Sequence, residues 1–172
     1  WWDINKEFDI NDALQKIRDT DNFWLDLPLT KNAKNLLNLI KQITGSYTIL
    51  SSPFPGDKNS EPHKRKWIEK NLGFFPPKEV LIRHDKDTFA TQPDGTPNIL
   101  IDDYGVNVRK WEAKGGVGFK HKDHKFERTA SAIKQHMEEP VEEKWSLRYK
   151  RKINCDNPKG FSQRAHCKGR NT

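Results

Sequence analysis

The sequence predicts an α/β fold: an open, mostly parallel sheet flanked by helices, followed by a basic C-terminal extension. Three observations predict it. Apolar runs of strand length at 47–50, 79–82 and 99–101 alternate with helix-length segments that carry apolar residues on one face, the order that yields parallel strands joined by helical crossovers. Two of those runs end abruptly in polar residues, Ser51-Ser52 and Asp102-Asp103, and in open α/β sheets ligands bind beyond the carboxyl ends of the strands. The net charge of +7 is uneven: residues 144–172 hold nine Lys or Arg against one acid, Asp156, so residues 1–143 sum to −1.

Taken in order, residues 1–18 read as a helix with Ile10, Leu14 and Ile17 on one face. Residues 21–28 form a loop rich in aromatics. Residues 29–43 read as a second helix, with Ala33, Leu36, Leu37 and Ile40 at core spacing, Thr30 as N-cap and Gly45 as stop. A strand at 47–50 leads into Ser51-Ser52-Pro53-Phe54-Pro55-Gly56-Asp57, a loop that no helix can enter. A helix over 63–72 ends at Gly73, and a strand follows at 79–82. The turn Asp94-Gly95-Thr96-Pro97 precedes a short buried strand, 99–101. A helix over 107–113 closes at Gly115-Gly116, and 117–119 is the last strand. Beyond His121 the core pattern fades, with a further helix expected over 131–137. Trp67 and Trp111 fall at apolar helical positions and are expected in the core. Trp1 and Trp2 are expected to pack against a segment outside these 172 residues.

A length of 172 residues suits one domain with an appendage. With 33% hydrophobic and 32% charged residues, the core is modest and the surface highly charged. No apolar run is long enough to span a bilayer, and nothing at the start resembles a signal peptide. Cys155 and Cys167 give no disulfide framework, so a reducing cytoplasm is the expected compartment. With His166 they offer three soft ligands, but their spacing matches no zinc pattern. His121 and His124 flank Asp123 in a segment better read as an exposed basic loop than as a metal site.

The chemistry lies in three elements that occur in order. Ser51 brings a hydroxyl to the end of a strand. Lys64, with Arg65 and Lys66 beside it, brings an ammonium on the next helix. Asp102 and Asp103 close a later strand. Two adjacent carboxylates repel unless a cation shares them, and paired hard oxygens suit Mg²⁺, which keeps several waters and often binds a substrate phosphate as well. A hydroxyl and an ammonium can hold phosphate oxygens meanwhile.

This ordered set resembles the haloacid dehalogenase-like phosphatases, and looks most like their 5′(3′)-deoxyribonucleotidase branch, phage and bacterial members included. Ser51 sits at the family's second motif, a Ser or Thr closing a strand, and Ser52-Pro53 is similar to the branch's Thr-Ser-Pro. The segment from His63 through Lys64 and Trp67 to Gly73 resembles the branch's Glu-Lys-x-x-Trp-Val-x-x-x-x-Gly helix, which makes Lys64 the third-motif lysine. Leu100-Ile101-Asp102-Asp103 matches the fourth motif, and Asn107, Trp111 and Gly115-Gly116 follow as in the branch. Phe23-Trp24, ahead of Leu27-Pro28, looks like the aromatic stretch near the nucleoside. The resemblance covers residues 23–119. It implies a Rossmann-type domain over 1–125 with a basic extension over 126–172. It further implies a Mg²⁺-dependent phosphatase of (deoxy)nucleoside monophosphates. Ser51 and Lys64 would bind the phosphoryl oxygens, Asp102 and Asp103 would hold the metal, and Phe23, Trp24 and Ser52 would contact substrate.

One motif of the family is missing. Its first, Asp-x-Asp-x-(Thr or Val) after an apolar strand, supplies the nucleophile and the general acid–base. Asp9-Ile10-Asn11-Asp12 has no strand before it, and Asp26 falls in the aromatic loop. Two explanations compete: a fragment whose first strand lies upstream, or a protein that has lost catalysis. A start without Met favours the fragment, and processing during assembly of a virus particle is a further route to it. The 172 residues alone are therefore expected to be inactive.

The tail stretch Lys144-Trp145-Ser146-Leu147-Arg148-Tyr149-Lys150-Arg151-Lys152 interleaves cations with aromatics. Cations meet phosphates and aromatic faces stack on bases, so Lys144, Trp145, Arg148, Lys150, Arg151 and Lys152 are candidate nucleic-acid contacts. A solubilising tail and a peptide that docks on a virion protein are the other readings. Residues 157–167 look like a short basic motif at the ends of some phage proteins. The alternative to an enzyme is thus a nonenzymatic structural or nucleic-acid-associated phage protein reusing the fold, in the host cytoplasm or the virion.

Overall fold

Residues 10–138, 153–157 and 167 are described in the computed structural model. The chain divides into two units, Trp1–Asp85 and Lys86–Thr172. The first holds α1 (Ile10–Asp19), α2 (Ala33–Thr44), β1 (Thr48–Ser51), α3 (Ser60–Asn71) and β2 (Glu79–Ile82). The second holds a 3₁₀ turn (Lys86–Phe89), β3 (Ile99–Asp102), α4 (Gly105–Ala113), β4 (Val117–Lys120), a second 3₁₀ turn (Asp123–Lys125) and α5 (Phe126–Glu138).

Each unit is built on one parallel strand pair with a helix in the crossover. In the first, β1 pairs with β2 from Thr48 opposite Glu79 to Ser51 opposite Ile82. In the second, β3 pairs with β4 from Ile99 opposite Val117 to Asp102 opposite Lys120. The α/β class expected from the alternating pattern is therefore present, and the parallel pairing comes as two two-stranded sheets.

The core of the first unit gathers Leu37, Ile68, Leu72 and Phe75, with Tyr47, Ile49, Trp67 and Val80 packed against it. The helix α2 ends as its sequence requires: Gly45 takes a left-handed φ of 71° and its N–H closes on the Lys41 carbonyl at 3.1 Å. Its start differs from expectation. Thr30 does not cap; its carbonyl accepts the Ala33 N–H at 3.2 Å in a preceding turn, and Asn32 takes the cap position. The Asn32 side chain accepts from Asn35 Nδ2 at 3.0 Å. The helix α3 begins at Ser60, three residues before the predicted start; Pro62 falls in its first turn, where a missing N–H costs nothing.

In the second unit Leu100, Val108, Trp111, Ala90, Ala130 and Ile133 are buried. Trp111 is only 3% exposed, and its Nε1–H donates to the Asn98 carbonyl at 2.9 Å, which binds α4 to the segment entering β3. Ile99 was expected inside the strand's buried run, yet it is 39% exposed; it opens the strand, where covering layers have not begun. The apolar pattern also continues past His121. The helix α5 starts five residues earlier than predicted and buries Thr129, Ala130 and Ile133, since Phe126, Ala130 and Ile133 share a helical face.

One expectation is overturned outright. Cys155 and Cys167 form a disulfide, with Cα atoms 5.4 Å apart, and Ile153 and Cys167 are buried beside it. Sulfurs bonded to each other cannot serve as the thiolate pair of a metal site, so the Cys155–His166–Cys167 ligand set is excluded in this state. Among the described residues no helix is long and apolar enough to cross a membrane.

Gly116 is the tightest point of the second unit. A Cβ there would run into the Trp111 indole and come within 2.8 Å of the Ala90 carbonyl oxygen. Gly116→Ala is expected to destabilise the chain by about 1–3 kcal/mol through overpacking, measured by urea unfolding; a change inside the noise of the wild-type curve would show that this contact is not made.

Candidate functional site

Ser51 is the last residue of β1 and is half-buried. Its carbonyl accepts the Arg83 N–H at 2.7 Å, which extends the parallel ladder one step past β2. The chain then turns through Ser52 and Pro53 toward Ser60, whose fully buried Oγ accepts the Phe54 N–H at 2.8 Å. That bond fixes the loop against the start of α3. Lys64, one turn into the helix, is thereby brought back onto the loop, and its Nζ donates to the Ser52 carbonyl at 2.6 Å.

The same ammonium lies 4.3 Å from the centroid of the Trp24 ring, within cation–π range. Trp24 is held on three sides. Phe23 meets it edge-on at 4.9 Å, Phe54 lies at 5.3 Å, and its Nε1–H donates to Asp57 Oδ2 at 2.7 Å. Partial burial pushes the Asp57 carboxyl up. The Trp24 bond, the Asn59 and Ser60 N–H groups and the charge of His63 outweigh it and hold the carboxyl below its ordinary value. Ser51, Ser52, Lys64, Phe23 and Trp24 were all singled out from the sequence, and Ser52, Lys64, Phe23 and Trp24 are linked by these contacts. Phe54 and Asp57 were missed. They sit in the Pro-Phe-Pro-Gly-Asp loop, whose position directly after Ser51-Ser52 was the available signal.

The second unit carries the acids. Asp102 ends β3 with its side chain 7% exposed. Its Oδ2 accepts from Lys86 Nζ at 2.9 Å and from Asn107 Nδ2 at 3.1 Å, and its Oδ1 accepts the Tyr104 N–H at 2.8 Å. Asp103 is exposed by surface area. Partial burial and then the neighbouring Asp102 charge raise its carboxyl above the ordinary range, against a smaller opposing pull from Lys86. His121, just beyond β4, shares a hydrogen with Thr129 Oγ1 through Nδ1 at 2.9 Å. Burial lowers its pKa, with Asp123 and Asp103 pulling the other way.

The cation that meets the acid pair is Lys86, which sequence reasoning passed over in favour of Lys64. Lys86 follows the strand 79–82 within Arg83-His84-Asp85-Lys86-Asp87. The rule that singled out Ser51, a polar residue just past a strand's carboxyl end, applied to it equally; the surrounding charges masked it. Among the described residues no group of three or more His, Cys, Asp or Glu is placed to hold a metal, and His121 and His124 with Asp123 form no such group. Lys144, Trp145, Arg148, Lys150, Arg151 and Lys152 lie outside the described residues, as do Trp1 and Trp2.

No family model, no curated protein and no solved structure matches the chain.

The raised Asp103 carboxyl has a pH signature. A group whose folded pKa exceeds its unfolded value stabilises the fold below the unfolded pKa and loses that contribution as pH rises through the folded one. At neutral pH the ionised Asp103 therefore costs stability. Asp103→Asn is expected to be more stable than wild type at pH 7 by about 0.5 kcal/mol, a figure kept small by solvent screening. The gain should vanish at pH 3. Paired urea titrations at the two pH values check this, and a gain of equal size at both would remove ionisation as its cause.

Proposed function

We propose that this chain contributes to a Mg²⁺-dependent phosphatase of the haloacid dehalogenase-like type, with that family's open, mostly parallel sheet, acting on (deoxy)nucleoside monophosphates. The observation that carries the reading is the acid pair at the carboxyl end of β3. One carboxylate is buried and held by Lys86 and Asn107. The next is accessible, with its charge discouraged by its neighbour. Such a pair gains from a cation.

The donor chemistry fits magnesium. Asp102 and Asp103 offer hard oxygens, and Mg²⁺ is commonly bound by one or two carboxylates plus waters and substrate phosphate rather than by a full protein cage, so the lack of a third protein ligand is no obstacle. Asp103 would hold the ion, with Asp102 supporting it. When bound, the ion neutralises charge on the transferring phosphoryl group. The chain's own residues divide the remaining work. Within the first unit, the resemblance implies that Lys64 and the Ser51 and Ser52 hydroxyls would bind phosphate oxygens and that Phe23 and Trp24 would supply apolar faces for a nucleoside. Lys86 holds Asp102 in place. The attacking carboxylate of this mechanism has no counterpart in these 172 residues, so the expected behaviour is binding without turnover.

Equilibrium dialysis with deoxynucleoside monophosphates tests the reading. Binding is expected to require Mg²⁺. Lys64→Ala is expected to weaken it about tenfold, the worth of one charge-assisted hydrogen bond, and Asp103→Asn to remove the dependence on the metal. Nucleotide binding that ignores both Mg²⁺ and Asp103 would overturn the assignment of the acids. Mg²⁺-dependent release of phosphate would overturn the expectation that no nucleophile is present.

A further inference from the structure

The second unit carries a cavity of about 330 Å³ between β4 and the region of α5, and its lining includes Lys120, Lys122, Lys125 and Arg128 beside Gly118 and Phe119. Among the described residues no carboxylate lines it. All four cations are exposed, and among the described residues none of them is in an ion pair. Asp123 and Glu127 occur in the same stretch of sequence but are not part of the lining.

The local structure explains how the charges come to share one cleft. Lys122, Lys125 and Arg128 are spaced by three. The first precedes the 3₁₀ turn Asp123–Lys125, the second closes it, and the third sits in the first turn of α5. Residues three apart lie on one side of such turns. Lys120 joins them from the end of β4. The buried Thr129, Ala130 and Ile133 anchor α5 in the unit, so the three cations are carried on fixed backbone. The Phe119 ring packs against His136 at 5.8 Å, which braces β4 on α5.

We propose that this cleft binds the phosphate backbone of single-stranded nucleic acid. Like charges gathered in a cleft focus a positive potential that draws a polyanion. Exposed cations spaced in sequence along the cleft suit a linear run of phosphates better than one compact anion, which calls for donors converging on a point. A concave site admits a flexible single strand, whereas a duplex presents a stiff convex face; grooves of this kind track single strands. The following segment, 144–172, adds a charge of +8 to the chain. The proposal is independent of the nucleotidase reading, since it uses none of the same residues.

Fluorescence anisotropy of a labelled dT12 strand with the full 172-residue chain, between 50 and 200 mM salt, tests it. Each phosphate contact on a single strand contributes about 0.7 to the slope of log K against log[salt]. The triple charge reversal K122E/K125E/R128E is expected to lower that slope by about 2 and the affinity at least about tenfold at low salt. Should that variant fail to fold by circular dichroism, the neutralised pair K125Q/R128Q is expected to lower the slope by about 1.4. Inorganic tripolyphosphate is expected to compete only weakly. Unchanged affinity and slope in a folded variant would place binding elsewhere in the chain and overturn the proposal. So would competition by tripolyphosphate as strong as by unlabelled dT12, or a preference for duplex.

Discussion

The second unit depends on holding the Asp102 carboxylate, whose side chain is almost wholly out of water, in a set of hydrogen bonds and an ion pair. Burying an unpaired carboxylate costs several kcal/mol, so each of its partners is a structural requirement. Lys86 reaches it from the 3₁₀ turn, Asn107 from the first turn of α4, and the Tyr104 N–H from the link between them. The Asp102 carbonyl meanwhile accepts the His121 N–H at 2.9 Å, which closes the ladder at the end of β4. One residue thus ties together the ends of both strands, the entry to α4 and the turn before β3. Asp103 is left exposed beside it.

The first unit solves a related problem with an aromatic ring. The sequence from Ser52 to Asp57 forms neither helix nor strand, yet its shape matters because it holds Ser52 and Asp57. Trp24 supplies the missing order. Its N–H fixes Asp57, its face receives Lys64, and its edges meet Phe23 and Phe54. Arg18 covers the outer side, with its guanidinium 5.7 Å from the Phe54 centroid and its Nε donating to the Pro55 carbonyl at 3.2 Å. The ammonium of Lys64 is therefore positioned by packing against Trp24 as well as by the Ser52 carbonyl. A group placed in this way is pre-organised for an anion.

Where an element rests on local rules, the sequence made it legible. Gly45 ends α2 because only a residue tolerant of positive φ can make that turn, and β2 spans the four residues expected. Trp111 is in the core because its helical position faces the strands. Features that need a distant partner were not legible. Thr30 looked like a cap until the turn made by its own carbonyl displaced it. The start of α3 moved because Ser60 is needed inside to hold Phe54. Lys86 was hidden because nothing within its segment marks it off from Arg83 and His84; only Asp102, sixteen residues later, does so. At Ser52, Lys64, Phe23 and Trp24 the sequence named residues that come into contact, because each sits beside a strand end or a structural stop that fixes its place.

The disulfide carries this lesson furthest. Two cysteines twelve residues apart in a highly charged chain gave no reason to expect pairing, and the stretch between them, with Phe161 its one large apolar residue, has little apolar area to fold around. The buried cluster beside the bond is small, Ile153 and Cys167 with Cys155 packed against them. A cluster of that size cannot offset the entropy of ordering a loop, which runs to about 1 kcal/mol or more per residue. A cross-link closing a loop of this length removes roughly 3 kcal/mol of that disadvantage by restricting the unfolded chain. The covalent bond therefore holds Cys155 and Cys167 together where little apolar burial is available. Order in this chain follows whichever of burial, a buried ion pair or a cross-link the local composition allows.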